Sequence, residues 1–114
     1  MGKSATRLDL TTSQNLASGA LSYTTSINRK FRLQAVEIHS SVVITETITL
    51  TRDSKNGTNY DTVLSSRSLV GEQSFIFRPD GECDFQAGDE LKVQCTNANL
   101  TGIVYVTIKT REIN

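Results

Sequence analysis

Turn-forming residues interrupt this chain about every ten positions, and nothing between them carries the three-to-four-residue apolar spacing of a long helix. The breaks are Ile27-Asn28-Arg29, Asp53-Ser54-Lys55-Asn56-Gly57, Pro79-Asp80-Gly81, Gly88-Asp89 and Asn97-Ala98-Asn99. Between them lie stretches of strand type at 20–25, 31–39, 42–51, 59–66, 72–79, 81–85, 90–96 and 102–111. In VVITETITLT (42–51), Val42, Ile44, Ile48 and Leu50 share one face while Thr45, Thr47, Thr49 and Thr51 share the other, the pattern of a sheet with one dry side. Glu46 breaks the apolar face: an edge position or a basic partner such as an arginine is expected for it, with a buried acid of functional interest as the alternative.

About eight short strands in one chain of 114 residues predict a single all-β domain. The expected form is a two-sheet antiparallel β-sandwich, jelly-roll-like, which protects strand edges by folding the sheets together. An immunoglobulin-like sandwich competes with it. The chain has no tryptophan, and its two cysteines fall in neighbouring strands, so the antibody-type signature is missing. Residues 1–20, rich in Thr, Ser, Asn and Gln without sustained alternation, read as an extended N-terminal arm, and 21–114 as the sandwich domain.

Twelve basic and twelve acidic residues cancel, so no strong field recruits nucleic acid or an anionic membrane. The first residues hold no signal-peptide core, so synthesis in a cytosol is expected. Met1-Gly2-Lys3-Ser4-Ala5-Thr6 matches a loose myristoylation pattern, and Gly2-Lys3-Ser4 echoes the end of a phosphate-binding loop, but the strand and glycine cradle of that loop do not precede it. A hairpin about Asp89 would set Phe85 against Val93, Ala87 against Leu91 and Cys83 against Cys95, with Gly88-Asp89-Glu90 as its loop. The cysteines are expected as two small buried hydrophobes, with a cross-strand disulfide as the alternative.

Two cysteines and one histidine at these spacings do not compose a zinc set, and Lys55 stands where a calcium loop needs an acid or Asn. Neither a metal nor another cofactor is expected. His39, at a strand end, has no nucleophile motif beside it, so no enzyme activity is expected. The sequons at Asn56 and Asn99 are coincidences of turn composition. Arg29, Lys30 and Arg32 beside Phe31 suit a subunit contact better than a nucleic acid, because no aromatic platform accompanies them.

Several strands are apolar on both faces. The last carries Val104, Val106 and Ile108 on one side and Ile103 and Tyr105 on the other, and SFIF (74–77) and LQAV (33–36) behave alike. Such strands are central, bulged or covered by another subunit. Near Ala35-Val36 the parity switches, as a bulge would make it.

With its Thr-rich strands VVITETITLT and NYDTVLSS, then SFIFRPDGECDFQAGDELKVQCTN and the closing GIVYVTIKT, the chain from about residue 20 resembles small β-sandwich structural proteins of tailed bacteriophages. These are head decoration or cement proteins and related adaptor and tail modules. The same order of elements recurs in virion jelly rolls and tumour-necrosis-factor-like trimers. The resemblance implies a non-enzymatic virion protein that binds the major capsid protein or other virion subunits, often as a homotrimer. On that reading Leu8, Leu10 and Leu16 are the arm's partner-binding anchors, and Phe31, Ile103 and Tyr105 are sheet-face contacts, with a core role as the alternative for Phe31 and Tyr105. A tail or adaptor component, or a carbohydrate- or receptor-binding module using Tyr23, Tyr60 and Tyr105, is the other reading.

Overall fold

The computed structural model describes residues 7–25 and 27–113. Among these residues nine strands run in the order β1 (Arg7–Asn15), β2 (Leu21–Thr24), β3 (Phe31–Ile44), β4 (Thr47–Asp53), β5 (Thr62–Ser68), β6 (Glu72–Phe77), β7 (Asp84–Phe85), β8 (Glu90–Cys95) and β9 (Ile103–Glu112). They build two antiparallel sheets. One has the order β1-β9-β3-β6, with β7 also on β3, and the other the order β2-β8-β4-β5. Leaving aside the two-residue β7, the first strand pairs with the last, the second with the second-last, the third with the third-last, and the middle two with each other. That is one long hairpin rolled into two layers, the jelly-roll order. The expected all-β sandwich is the observed fold.

Alternation fixes which face is inside. On β9, Val104, Val106, Ile108 and Thr110 are buried between the sheets. Ile48 and Leu50 of β4 and Leu91, Val93 and Cys95 of β8 meet them from the other layer in the same core. The bulge expected near Ala35 lies between Leu33 and Ala35 in the pairing of β3 with β9. It keeps both Leu33 and Val36 inside and turns Ala35 to the outer face, opposite Lys109.

Two readings are corrected. VVITETITLT is not one strand: β3 runs on to Ile44, the chain turns at Thr45-Glu46, and β4 starts in the other sheet. Val42, expected inside, is exposed. The hairpin about Asp89 does not form either. β7 pairs with β3 and β8 with β2 and β4, so Gly88-Asp89 is a corner at which the chain changes sheets. Cys83 and Cys95 are therefore not cross-strand partners, and both are free thiols. Burial, with a smaller push from the Glu46 charge, raises the Cys95 thiol to about 11.

A buried acid holds each of the two corners. At the second, Asp89 donates its N–H to the Gln86 carbonyl (3.0 Å), and Gly88 takes φ 95°, which a glycine adopts without strain. The Asp89 carboxylate then accepts the N–H of Gln86 at 2.9 Å and that of Lys55, in the β4–β5 loop, at 2.9 Å. Asp89→Ala should cost about 2 kcal/mol, since two part-buried main-chain donors lose a charged acceptor. Urea unfolding followed by circular dichroism measures it, and Asp89→Asn should recover about half.

The segment read as an extended arm outside the sandwich is, over residues 7–15, extended but a strand of the first sheet, in unbroken register with β9 from Arg7 opposite Arg111 to Asn15 opposite Ile103. The readings placed on Gly2, Lys3 and Ser4 lie outside the described residues.

Candidate functional site

The six residues expected to bind a partner separate into three places. Leu16 is fully buried in the core cluster and presents no surface, because its N–H is tied to the Gly102 carbonyl (2.9 Å) and its side chain packs between the sheets. Phe31 is also core. Its ring stacks on that of Phe85 at 4.5 Å and 15°, on the interior side of the bulge. Ile103 and Tyr105 lie on the outer face of the first sheet, where Tyr105 is exposed opposite Ser13 and His39. Leu8 and Leu10 sit on the inner side of β1, Leu8 exposed and Leu10 packed against the core.

Leu8, Leu10 and Phe31 nevertheless converge on one feature, a groove of about 510 Å³ along the seam between the edge strands β1 and β2. It arises from unequal strand length. β1 has nine residues and β2 four, so the second sheet stops short of the start of β1 and leaves Leu8 and Leu10 without an opposing strand. Tyr23 and Ile27 form its other wall, and Arg29, ion-paired to Glu112, stands at its mouth. A side-chain bridge crosses the opposite seam. There Arg67 of β5, in register with the interior residue Ile48, lies over the Phe75 ring of β6 at 5.2 Å and pairs with Glu72 at 3.2 Å.

A second feature was not legible in the sequence. At one end of the sandwich three loops meet around Glu46, which is only 4% exposed. Its carboxylate accepts the Thr96 hydroxyl (2.7 Å) and the N–H groups of Ala98 (2.9 Å) and Asn99 (2.9 Å), and its carbonyl accepts the Leu69 N–H (2.8 Å). Among the described residues no arginine pairs with it, contrary to expectation. Burial pushes this carboxyl up, but the hydrogen bonds from Asn99, Thr96 and Ala98 together outweigh it and hold it below its ordinary value.

This end of the sandwich carries aliphatic side chains outward: Val42 and Val43 on the last residues of β3, and Val70 and Leu100 on the gathered loops, at 44, 59, 72 and 60% exposure. Leu100 has φ 51°, a left-handed conformation that costs a bulky residue energy. A β-carbon on Gly102 would lie 3.1 to 3.2 Å from Ile44, Ser40 and Val42, so the β8–β9 loop is pressed onto the end of β3.

The basic cluster is used internally in part. Arg32 grips Asp84 through two bonds of 2.7 and 3.2 Å, and its guanidinium holds the Asp84 carboxyl below the usual range. Arg29 is held by Glu112, and Lys30 is exposed. The three tyrosines lie on separate elements: β2, the short 3-10 turn Thr58–Tyr60, and β9.

No family model matches this chain, and no curated protein matches it.

Proposed function

We propose that the protein is a non-enzymatic structural subunit of a virion, an oligomeric decoration or cement protein that stabilises a capsid lattice by covering parts of it. The observation that carries this reading is the end of the sandwich around Glu46. Four aliphatic side chains there stand in water, Val42 and Val43 on the end of β3 and Val70 and Leu100 on loops tied to the buried Glu46, with Leu100 in a costly backbone conformation. Exposed apolar groups on an ordered support mark a surface that gains by being covered. The virion setting is supported by the resemblance of its Thr-rich strands and SFIF-to-IVYV segment to phage decoration proteins.

Retention on capsids is the test. Protein mixed with capsids of the virus that encodes it should co-migrate through a sucrose gradient in a fixed ratio. The double variant Val43→Asp, Val70→Asp should bind at least tenfold more weakly while keeping its circular dichroism. Absence of the wild-type protein from the particle fractions overturns the reading.

A further inference from the structure

We propose that the open edge of β1 pairs antiparallel with β1 of a second copy, joining the first sheets of two molecules across a twofold axis and covering the groove. The inference stands on edge geometry and does not depend on binding to a capsid.

The hydrogen-bond phase of β1 decides which groups it offers. The Leu16 N–H bonds the Gly102 carbonyl directly opposite, and the Thr110 hydroxyl reaches the Leu8 carbonyl at 2.8 Å. Pairs alternate in an antiparallel ladder, so Leu8, Leu10, Thr12 and Gln14 turn their main-chain groups toward β9. Arg7, Asp9, Thr11 and Ser13 turn theirs to the open side, and no described strand pairs there.

Edge strands are ordinarily guarded by a proline, a bulge or an inward-pointing charge. β5 has such a guard in Arg67. β1 has neither proline nor bulge nor inward charge, since its register is unbroken and its inward side chains are Leu8, Leu10, Thr12 and Gln14; its charges, Arg7 and Asp9, are outward and opposite in sign. An unguarded edge next to an apolar groove matches recognition by strand addition, in which main-chain bonds give affinity and alternate side chains fill the pocket.

The strand is also self-complementary. With Leu10 facing its own copy, Leu8 meets Thr12, Asp9 meets Thr11 and Arg7 meets Ser13, so no like charges oppose each other. The bonding residues of one strand then face those of the other, for about eight main-chain bonds. The inward leucines of both copies line the axis over the groove. Such a contact is isologous and closes as a dimer; a trimer accommodates it only within a larger assembly having both axes.

Sedimentation velocity over a dilution series, with Thr11→Pro as the comparison, tests this. Proline at residue 11 removes an N–H that faces the open edge and leaves the ladder to β9 intact. The wild-type chain should be a dimer at about 100 µM and dissociate on dilution, and the variant should associate at least tenfold more weakly with unchanged circular dichroism. Amide exchange of the wild-type protein gives an independent arm if the variant does not fold: the Asp9, Thr11 and Ser13 N–H groups should slow as concentration rises. A monomer at that concentration, an oligomer indifferent to Thr11→Pro, or edge amides exchanging alike at all concentrations overturns the proposal.

Discussion

Phe85→Ala is expected to destabilise the protein by about 3–5 kcal/mol, among the largest effects of any single truncation. The ring is fully buried and stacked on Phe31, so its removal leaves a cavity against a side chain that also lines the groove. Position 85 is where β7 ends and the chain starts to cross to the other sheet, which gives the surrounding backbone little freedom to collapse inward. Phe85→Leu should cost about 1–1.5 kcal/mol, because it retains most of the volume. Urea unfolding followed by far-ultraviolet circular dichroism suits a chain without tryptophan. The midpoint should fall with an unchanged slope, the mark of lost stability in an otherwise unaltered native state.

The second large effect is Glu46→Ala, about 3 kcal/mol, because one buried carboxylate serves donors on Thr96, Ala98 and Asn99. Glu46→Gln should cost about half, since the amide keeps one acceptor oxygen. The variants also differ from the wild type in pH dependence. The folded Glu46 carboxyl titrates below its ordinary value of 4.5, so on acidification the unfolded chain takes up the proton first. Stability from Glu46 is therefore full above that value and is lost as pH falls through the folded one. Asp84, held low by Arg32, contributes in the same direction. Glu46→Gln should flatten the acid limb of the stability curve without abolishing it. An acid limb as steep as that of the wild type would show that Glu46 does not bear the load assigned to it.

Period-two alternation was readable wherever one strand face is wholly dry, as in β9, and the parity break at Ala35 announced the bulge. Crossings between sheets were not readable, because a corner made by a buried acid resembles a polar interruption in a strand. Glu46 and Asp89 each owe their role to backbone N–H groups distant in sequence, on the 96–99 loop and at Lys55. β1 escaped notice because only Leu8 and Leu10 of its inward residues are apolar, and Thr12 and Gln14 erase the alternation. Of the expected contact residues, Leu8, Leu10 and Phe31 were found in one groove although the reasons given for them differed. Leu16 looked like an arm anchor only because its burial depends on the turn that follows β1. Val70 and Leu100 gave no signal, since single aliphatic residues in turns have no period to reveal them.

Hydrogen exchange of the protein free and bound to capsids tests the central claim most directly. The account predicts that amides of 41–46, 69–72 and 97–102 slow on binding, while those in the core strands β4 and β8 stay as they are. Unchanged exchange in all three segments, with the protein nevertheless bound, would contradict it.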